Sequence, residues 1–145
     1  MPPIPRLAVW LGLAGLLPFL AAALGAWFGP AEWRGAALPA LAAYGAVILG
    51  FLGAVHWGFA LQAPRDAATA PRLVLGVLPA LVAWVALLLP AAWALGLLAL
   101  GILATTATET VAAGRGLLPA GYLRLRWCLS LVGAGCLIAG AYAAS

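Results

Sequence analysis

From Ala37 to Leu61 the chain carries no Asp, Glu, Lys or Arg, over a length that as a helix crosses a bilayer. Nothing else in the sequence restricts the fold so strongly, because the stretch is one of several. Apolar runs of comparable length cover Leu7–Phe28, Leu73–Leu89, Ala91–Ala113 and Leu125–Ala144. Lipid offers the backbone no hydrogen-bond partners, so each run must satisfy its own N–H and C=O groups as a helix. The expected fold is all-α: a polytopic membrane helix bundle of five transmembrane helices. It forms one domain over residues 1–145, with spans at about 7–28, 37–61, 73–89, 91–113 and 122–144.

Composition excludes the soluble alternative. Hydrophobic residues make up 67% of the chain and charged residues 7%, against about 25% charged in a soluble domain. A soluble domain of this size buries only about 70% of its unfolded surface, so the surplus has nowhere to hide from water. The net charge of +4 comes from seven Arg, no Lys and three acids. These arginines flank apolar runs and form no basic stripe facing water, so no nucleic-acid partner is expected; the partner is the lipid bilayer. Cys128 and Cys136 fall about 12 Å apart on one helix, too far for a disulfide, and read as packing residues.

The linkers set the topology. Arg6 before the first run, with Ala21–Ala23 as a small-residue site, makes a cleaved signal peptide the rival reading of that run. The run is long for such a segment, so a membrane span kinked by Pro18 is expected. Residues 29–35 read as a turn-rich connector, and 62–72 as the longest polar linker. Pro90 closes a tight hairpin between the third and fourth runs. Gly114–Arg115–Gly116 breaks the chain, and Pro119 suits the first turn of the last helix. Arg6, Arg65, Arg72, Arg115, Arg124 and Arg126 then gather on one side and Arg34 alone on the other. The positive-inside rule puts the N-terminus in the cytoplasm, or its organellar equivalent, and the C-terminus outside. Trp10, Trp57 and Trp127 fall towards the inner interface and Trp27, Trp33 and Trp93 towards the outer one. The segments Gly15–Leu20 and Gly76–Leu81 echo each other around Pro18 and Pro79, by duplication or by coincidence.

The second run holds both the packing signal and the chemistry. Ala42, Ala46, Gly50, Ala54 and Gly58 repeat small residues every four positions, which predicts a smooth stripe for close helix packing. His56, the chain's one histidine, lies off that stripe beside Gly45, Leu49, Gly53 and Ala60. Gly53, one turn earlier, leaves room for the imidazole. Two readings of His56 stand: a histidine satisfied by a nearby carbonyl, or a site residue at the inner leaflet. The fourth run ends in Thr105, Thr106, Thr108, Glu109 and Thr110. Glu109 reaches water, or pairs with Arg115, Arg124 or Arg126, or meets His56 around a pocket. Tyr122 and Arg126 share a face of the last helix, and Arg124 points elsewhere. The topology therefore brings His56, Trp57, Glu109, Tyr122, Arg124 and Arg126 to one depth, and these are the candidate ligand-binding residues. No phosphate-loop, nucleophile-elbow, His-Glu-x-x-His or Cys-x-x-Cys motif occurs. With one histidine, no metal site and no catalytic residue is expected, and no cofactor is identified.

Leu13–Phe19, then Tyr44–Gly58 with its Phe-Leu-Gly-x-x-His-Trp-Gly core, then Val77–Pro79 with Trp84, then Leu118–Arg126 resemble the domain of unknown function 3429 family. The family's usual Leu-Pro-x-Trp-Tyr corner has Gly121 in place of the Trp, and Glu109 stands where the family often carries Asp. The resemblance implies a small polytopic protein of bacterial inner membranes or mitochondria and supplies no activity.

Three functions remain open. The first is non-enzymatic binding of a hydrophobic ligand with a polar head (a quinone, a tetrapyrrole or a lipid) at the cytoplasmic leaflet. His56 and Glu109 would bond the head, Trp57 and Tyr122 would stack on it, and Arg124 or Arg126 would meet any carboxylate or phosphate. The second is an accessory or assembly subunit with a membrane-protein partner or a second copy of itself. The third is a proton-coupled carrier using His56 and Glu109.

Overall fold

A computed structural model describes residues 3–113, 118 and 121–145. Six α-helices follow in order: α1 (Arg6–Ala14), α2 (Leu17–Phe28), α3 (Ala31–Gln62), α4 (Thr69–Leu87), α5 (Ala91–Ala113) and α6 (Tyr122–Ala144). Five helical segments, α1 and α2 counting as one, are long and apolar enough to cross a membrane. The protein is a multi-pass membrane bundle, and its outer surface fits that solvent: Trp10, Phe28, Leu61, Trp84, Trp93 and Leu100 all stand exposed.

The first span breaks where the proline demands it. Pro18 has no N–H to offer and its ring crowds the carbonyl one turn earlier, so the helix parts at Gly15–Leu16 and restarts with Pro18 in its first turn. Another helix restores a bond at the joint, since the Tyr44 hydroxyl donates to the Gly15 carbonyl at 2.7 Å. Phe19 packs edge-on to the Tyr44 ring, centroids 4.8 Å apart. Pro79 leaves α4 continuous, so the two halves of the sequence echo have different conformations.

The helices begin earlier than the hydropathy runs. Residues 29–35 are not all connector: the turn is confined to Gly29 and Pro30, and α3 starts at Ala31 with Glu32 in its first turn, where an acid suits the helix dipole. The polar linker is likewise shorter, Ala63 to Ala68: the Asp66 carboxylate accepts from the Ala68 N–H and meets Arg72, and α4 starts at Thr69. Pro119 and Arg115 lie outside the described residues.

The helix α3 is central. It packs against α2, α4, α5 and α6, while α5 closes on α6 and α4, and α2 leans on α6. Glycines set this arrangement by giving leucines from facing helices a place to seat. Leu49 of α3 lies over Gly101 of α5, 2.7 Å from where a methyl on that glycine would sit, and Leu137 of α6 lies 2.9 Å from such a methyl on Gly45. Leu41 of α3 seats over Gly140 of α6 in the same way. These leucines are fully buried. In lipid their burial gains contact and packing rather than escape from water.

The small-residue stripe needs a correction. Ala42 and Ala46 are buried and Gly50 is half-buried facing Ala80, but Ala54 and Gly58 are exposed and Gly58 has open space beside it. Steps of four advance about 40° around a helix, so the stripe has turned by roughly 160° at Gly58. The buried face instead alternates steps of three and four through Ala42, Gly45, Ala46, Leu49, Leu52, Gly53, His56 and Ala60. The closest backbone approach is at Gly53, where an added methyl would lie 2.5 Å from the Gly76 carbonyl oxygen of α4.

Candidate functional site

Every buried polar side chain among the described residues lies in one half of the bundle: His56, Thr105, Thr106, Glu109, Arg126 and Ser130. This is the half that holds the ends of α3 and α5 and the starts of α4 and α6. Arg6, Arg65, Arg72, Arg124 and Arg126 share that side of the bundle, and Arg34 sits at the opposite one, where its Nε donates to the Gly29 carbonyl at 2.8 Å.

At the centre of the cluster α5 meets α6. Glu109 is 2% exposed and Arg126 5%. Arg126 Nε lies 2.9 Å from Glu109 Oε2, close enough for the charges to meet, although its N–H is not aimed along that line. Arg126 Nη1 donates to Ser130 Oγ at 2.6 Å. Ser130 Oγ is in turn 2.6 Å from Thr106 Oγ1, and Thr106 donates to the Ile102 carbonyl. The protons are consistent in one direction only: Arg126 gives to Ser130, Ser130 to Thr106, and Thr106 to the backbone. The Tyr122 hydroxyl reaches Glu109 Oε2 at 3.5 Å, the limit of a hydrogen bond. Glu109 Oε1 and Arg126 Nη2 are buried with no partner among the described residues. The pair is thus held in place by α6 and α5 yet keeps unmet hydrogen-bonding capacity.

A cavity of about 460 Å³ adjoins this cluster, partly open and walled by α1, α2, α3, α5 and α6. That volume lies in the range of small-molecule sites. Its walls are aliphatic and aromatic, with Leu11, Phe19, Phe51 and Leu129 among them; its polar side chains among the described residues, Tyr122, Arg126 and Ser130, all come from α6. Along α6 it runs from Tyr122 to Gly133, roughly 16 Å at helical rise. It therefore stretches from the Arg-rich end to the middle of the bundle.

The six candidate residues divide. Tyr122 and Arg126 line the cavity. Glu109 stands behind Arg126 and pairs with it. His56 is buried, with Nδ1 3.4 Å from the Leu52 carbonyl oxygen one turn earlier, within electrostatic reach of Glu109 but outside the cavity wall. Trp57 turns away, because one residue further round α3 faces α4. Its Nε1 donates to the Leu73 carbonyl at 2.9 Å and its ring lies on Gly76. Stacking by Trp57 on a ligand beside Arg126 is therefore corrected. Arg124 is exposed and joins neither the pair nor the cavity wall. Sequence reasoning missed Ser130 and its bond to Thr106, although Ser130 is one helical turn after Arg126 and that spacing was visible. It also missed the long apolar cavity, which arises from helix arrangement. Thr105, Thr108 and Thr110 bond back to their own helix, and Thr110 also accepts from the Trp127 indole. No group of three or more His, Cys, Asp or Glu that could hold a metal occurs among the described residues.

Residues 4–142 match the family described as "Protein of unknown function (DUF3429)". Over 91 residues the chain is 44% identical to Transmembrane protein 69 of Xenopus tropicalis, a match covering 58% of this chain and 33% of that protein. The chain thus spans about a third of that relative's length. No solved structure matches it. The chain belongs to the DUF3429 family.

Proposed function

We propose that this member of the DUF3429 family binds a hydrophobic molecule with a polar head, such as a quinone, a tetrapyrrole or a lipid, in the cavity between the first span, α3 and α6. One observation carries the reading. Among the described residues, an apolar cavity of about 460 Å³ has its polar side chains confined to Tyr122, Arg126 and Ser130 on one helix, backed by a buried Arg126–Glu109 pair with unmet polar atoms. An amphiphile lying along α6 fits that division, with its head at Tyr122 and Arg126 and its tail towards Gly133. His56 supports Glu109 from the α3 side rather than touching the head. We read the protein as a binder rather than an enzyme, since the Ser130 and Thr106 hydroxyls of the cluster are committed to each other and to the Ile102 carbonyl.

The arginine distribution supports placing this end in the cytoplasm or its organellar equivalent, with the N-terminus inside and the C-terminus outside. The membrane is then a bacterial inner membrane, or a mitochondrial one in a eukaryote. A proton-coupled carrier is less well supported, because no buried polar side chain among the described residues continues the cluster into the other half of the bundle.

The test is native mass spectrometry of the protein extracted in mild detergent. A co-purifying amphiphile is expected, and it is expected to be lost from a variant in which Ala8→Trp fills the cavity from α1. Recovery of the bare chain from native membranes, or equal retention by the variant, would sink the proposal.

A further inference from the structure

The polar end of the cavity contains an uneven set of groups. Among the described residues Arg126 is the one charged side chain in the cavity wall, and its charge is already met by Glu109 at 2.9 Å. The other arginines on this side that the structure describes, Arg6 and Arg124 among them, are outside the wall. A carboxylate or phosphate entering here finds no unneutralised cation among the described residues and meets the Glu109 carboxylate just behind Arg126. A buried charge that gains no partner is costly. Hydrogen-bond donors, by contrast, are available. The Tyr122 hydroxyl, in the cavity wall, makes only a 3.5 Å contact, so it can turn to a better acceptor, and Arg126 Nη2, itself buried, has no partner among the described residues. Ser130 is already used, accepting from Arg126 and sharing a hydrogen with Thr106.

We infer that the cavity selects amphiphiles with an uncharged head rich in acceptor oxygens, carbonyl or hydroxyl, and rejects anionic heads. The inference rests on the ligand-binding reading above and narrows it. The buried ion pair acts as a filter: the guanidinium provides donors while the carboxylate cancels its attraction for anions. Within the named classes, a quinone or a neutral glycerolipid fits, and a tetrapyrrole bearing propionates does not. Among the described residues the titratable groups facing the head are Tyr122 and Arg126, with Glu109 and His56 behind them.

The experiment compares two lipids that share an oleoyl chain, 1-oleoylglycerol with an uncharged head and 1-oleoyl lysophosphatidic acid with a phosphate. Each is titrated into the full chain in phosphatidylcholine nanodiscs at one fixed pH, and bound lipid is read by native mass spectrometry. Wild-type protein is expected to bind the glycerolipid at least about tenfold more tightly. Glu109→Gln is expected to narrow or reverse that preference by freeing the Arg126 charge. Ala8→Trp is expected to abolish saturable binding of both lipids and so place the binding in the cavity. If wild-type protein prefers the phosphate lipid, the filter is overturned while ligand binding stands. If neither lipid binds saturably, or Ala8→Trp has no effect, both readings fall. The wild-type comparison decides the matter even if Glu109→Gln does not fold.

Discussion

Replacing Arg126 with Met removes the cation from a pair whose acid is 2% exposed. Glu109 would lose its buried counter-charge, with only the long Tyr122 contact and the more distant His56 left to offset the loss. Deleting one partner of a buried ion pair costs about 3–5 kcal/mol in soluble proteins. The membrane lowers that figure, because an unfolded span can slide its acid towards the interface and find water there. Glu109 is about one turn from the end of its span, so the expected cost of Arg126→Met is about 3 kcal/mol, near the lower bound. Glu109→Leu should cost less, since the long Arg126 stem lets the guanidinium reach the interface while the carboxylate has no such reach. The double variant Glu109→Leu/Arg126→Met leaves no orphaned charge and should fall within about 1 kcal/mol of wild type. The coupling energy from this cycle is then at least about 2 kcal/mol. Reversible unfolding in mixed detergent micelles, followed by Trp fluorescence, measures all four corners. Additivity within about 0.5 kcal/mol would mean that the two side chains do not sense each other, and the cluster described above would be wrong.

Four further outcomes are expected. Gly53→Ala sets a methyl 2.5 Å from the Gly76 carbonyl and must push α3 from α4, at a cost of about 1–3 kcal/mol; Gly58→Ala, with open space beside it, should be neutral in the same assay. Tyr44→Phe removes the hydroxyl that caps the Gly15 carbonyl and should cost about 1 kcal/mol, with faster amide exchange near the α1–α2 joint. Leu137→Ala empties a fully buried site against Gly45 and should cost about 2–5 kcal/mol by thermal denaturation in detergent. In a chain with both cysteines replaced by Ala, Arg65→Cys and Gly35→Cys should label with an impermeant maleimide from opposite sides of the membrane; labelling of both from one side would reverse the topology.

The candidate site was legible in part, and the division has a physical cause. Depth comes from counting along a helix, so the level of His56, Glu109, Tyr122 and Arg126 could be read from span boundaries. Direction comes from rotation about the helix, and there the reading succeeded only where a neighbour was implied. Tyr122 and Arg126, four apart, share a face and do line one cavity. Trp57 was placed with His56 by adjacency, but one residue is about 100° of rotation, enough to point it at Leu73 instead.

Hydropathy alone determined the class of molecule. Each apolar run is a local property, and lipid leaves a long apolar segment no conformation but a helix. The Pro18 break was equally local, since the missing N–H and the ring act within one turn. The helix neighbours were decided only by the tertiary structure. In lipid no gain from water exclusion selects one apolar face over another, so rotation is set by where side chains can seat. Leu49 over Gly101, Leu137 over Gly45 and the Gly53–Gly76 approach fix how α3 turns. That turn buries His56, carries Ala54 and Gly58 outwards, and leaves between the first span, α3 and α6 the cavity that adjoins Arg126.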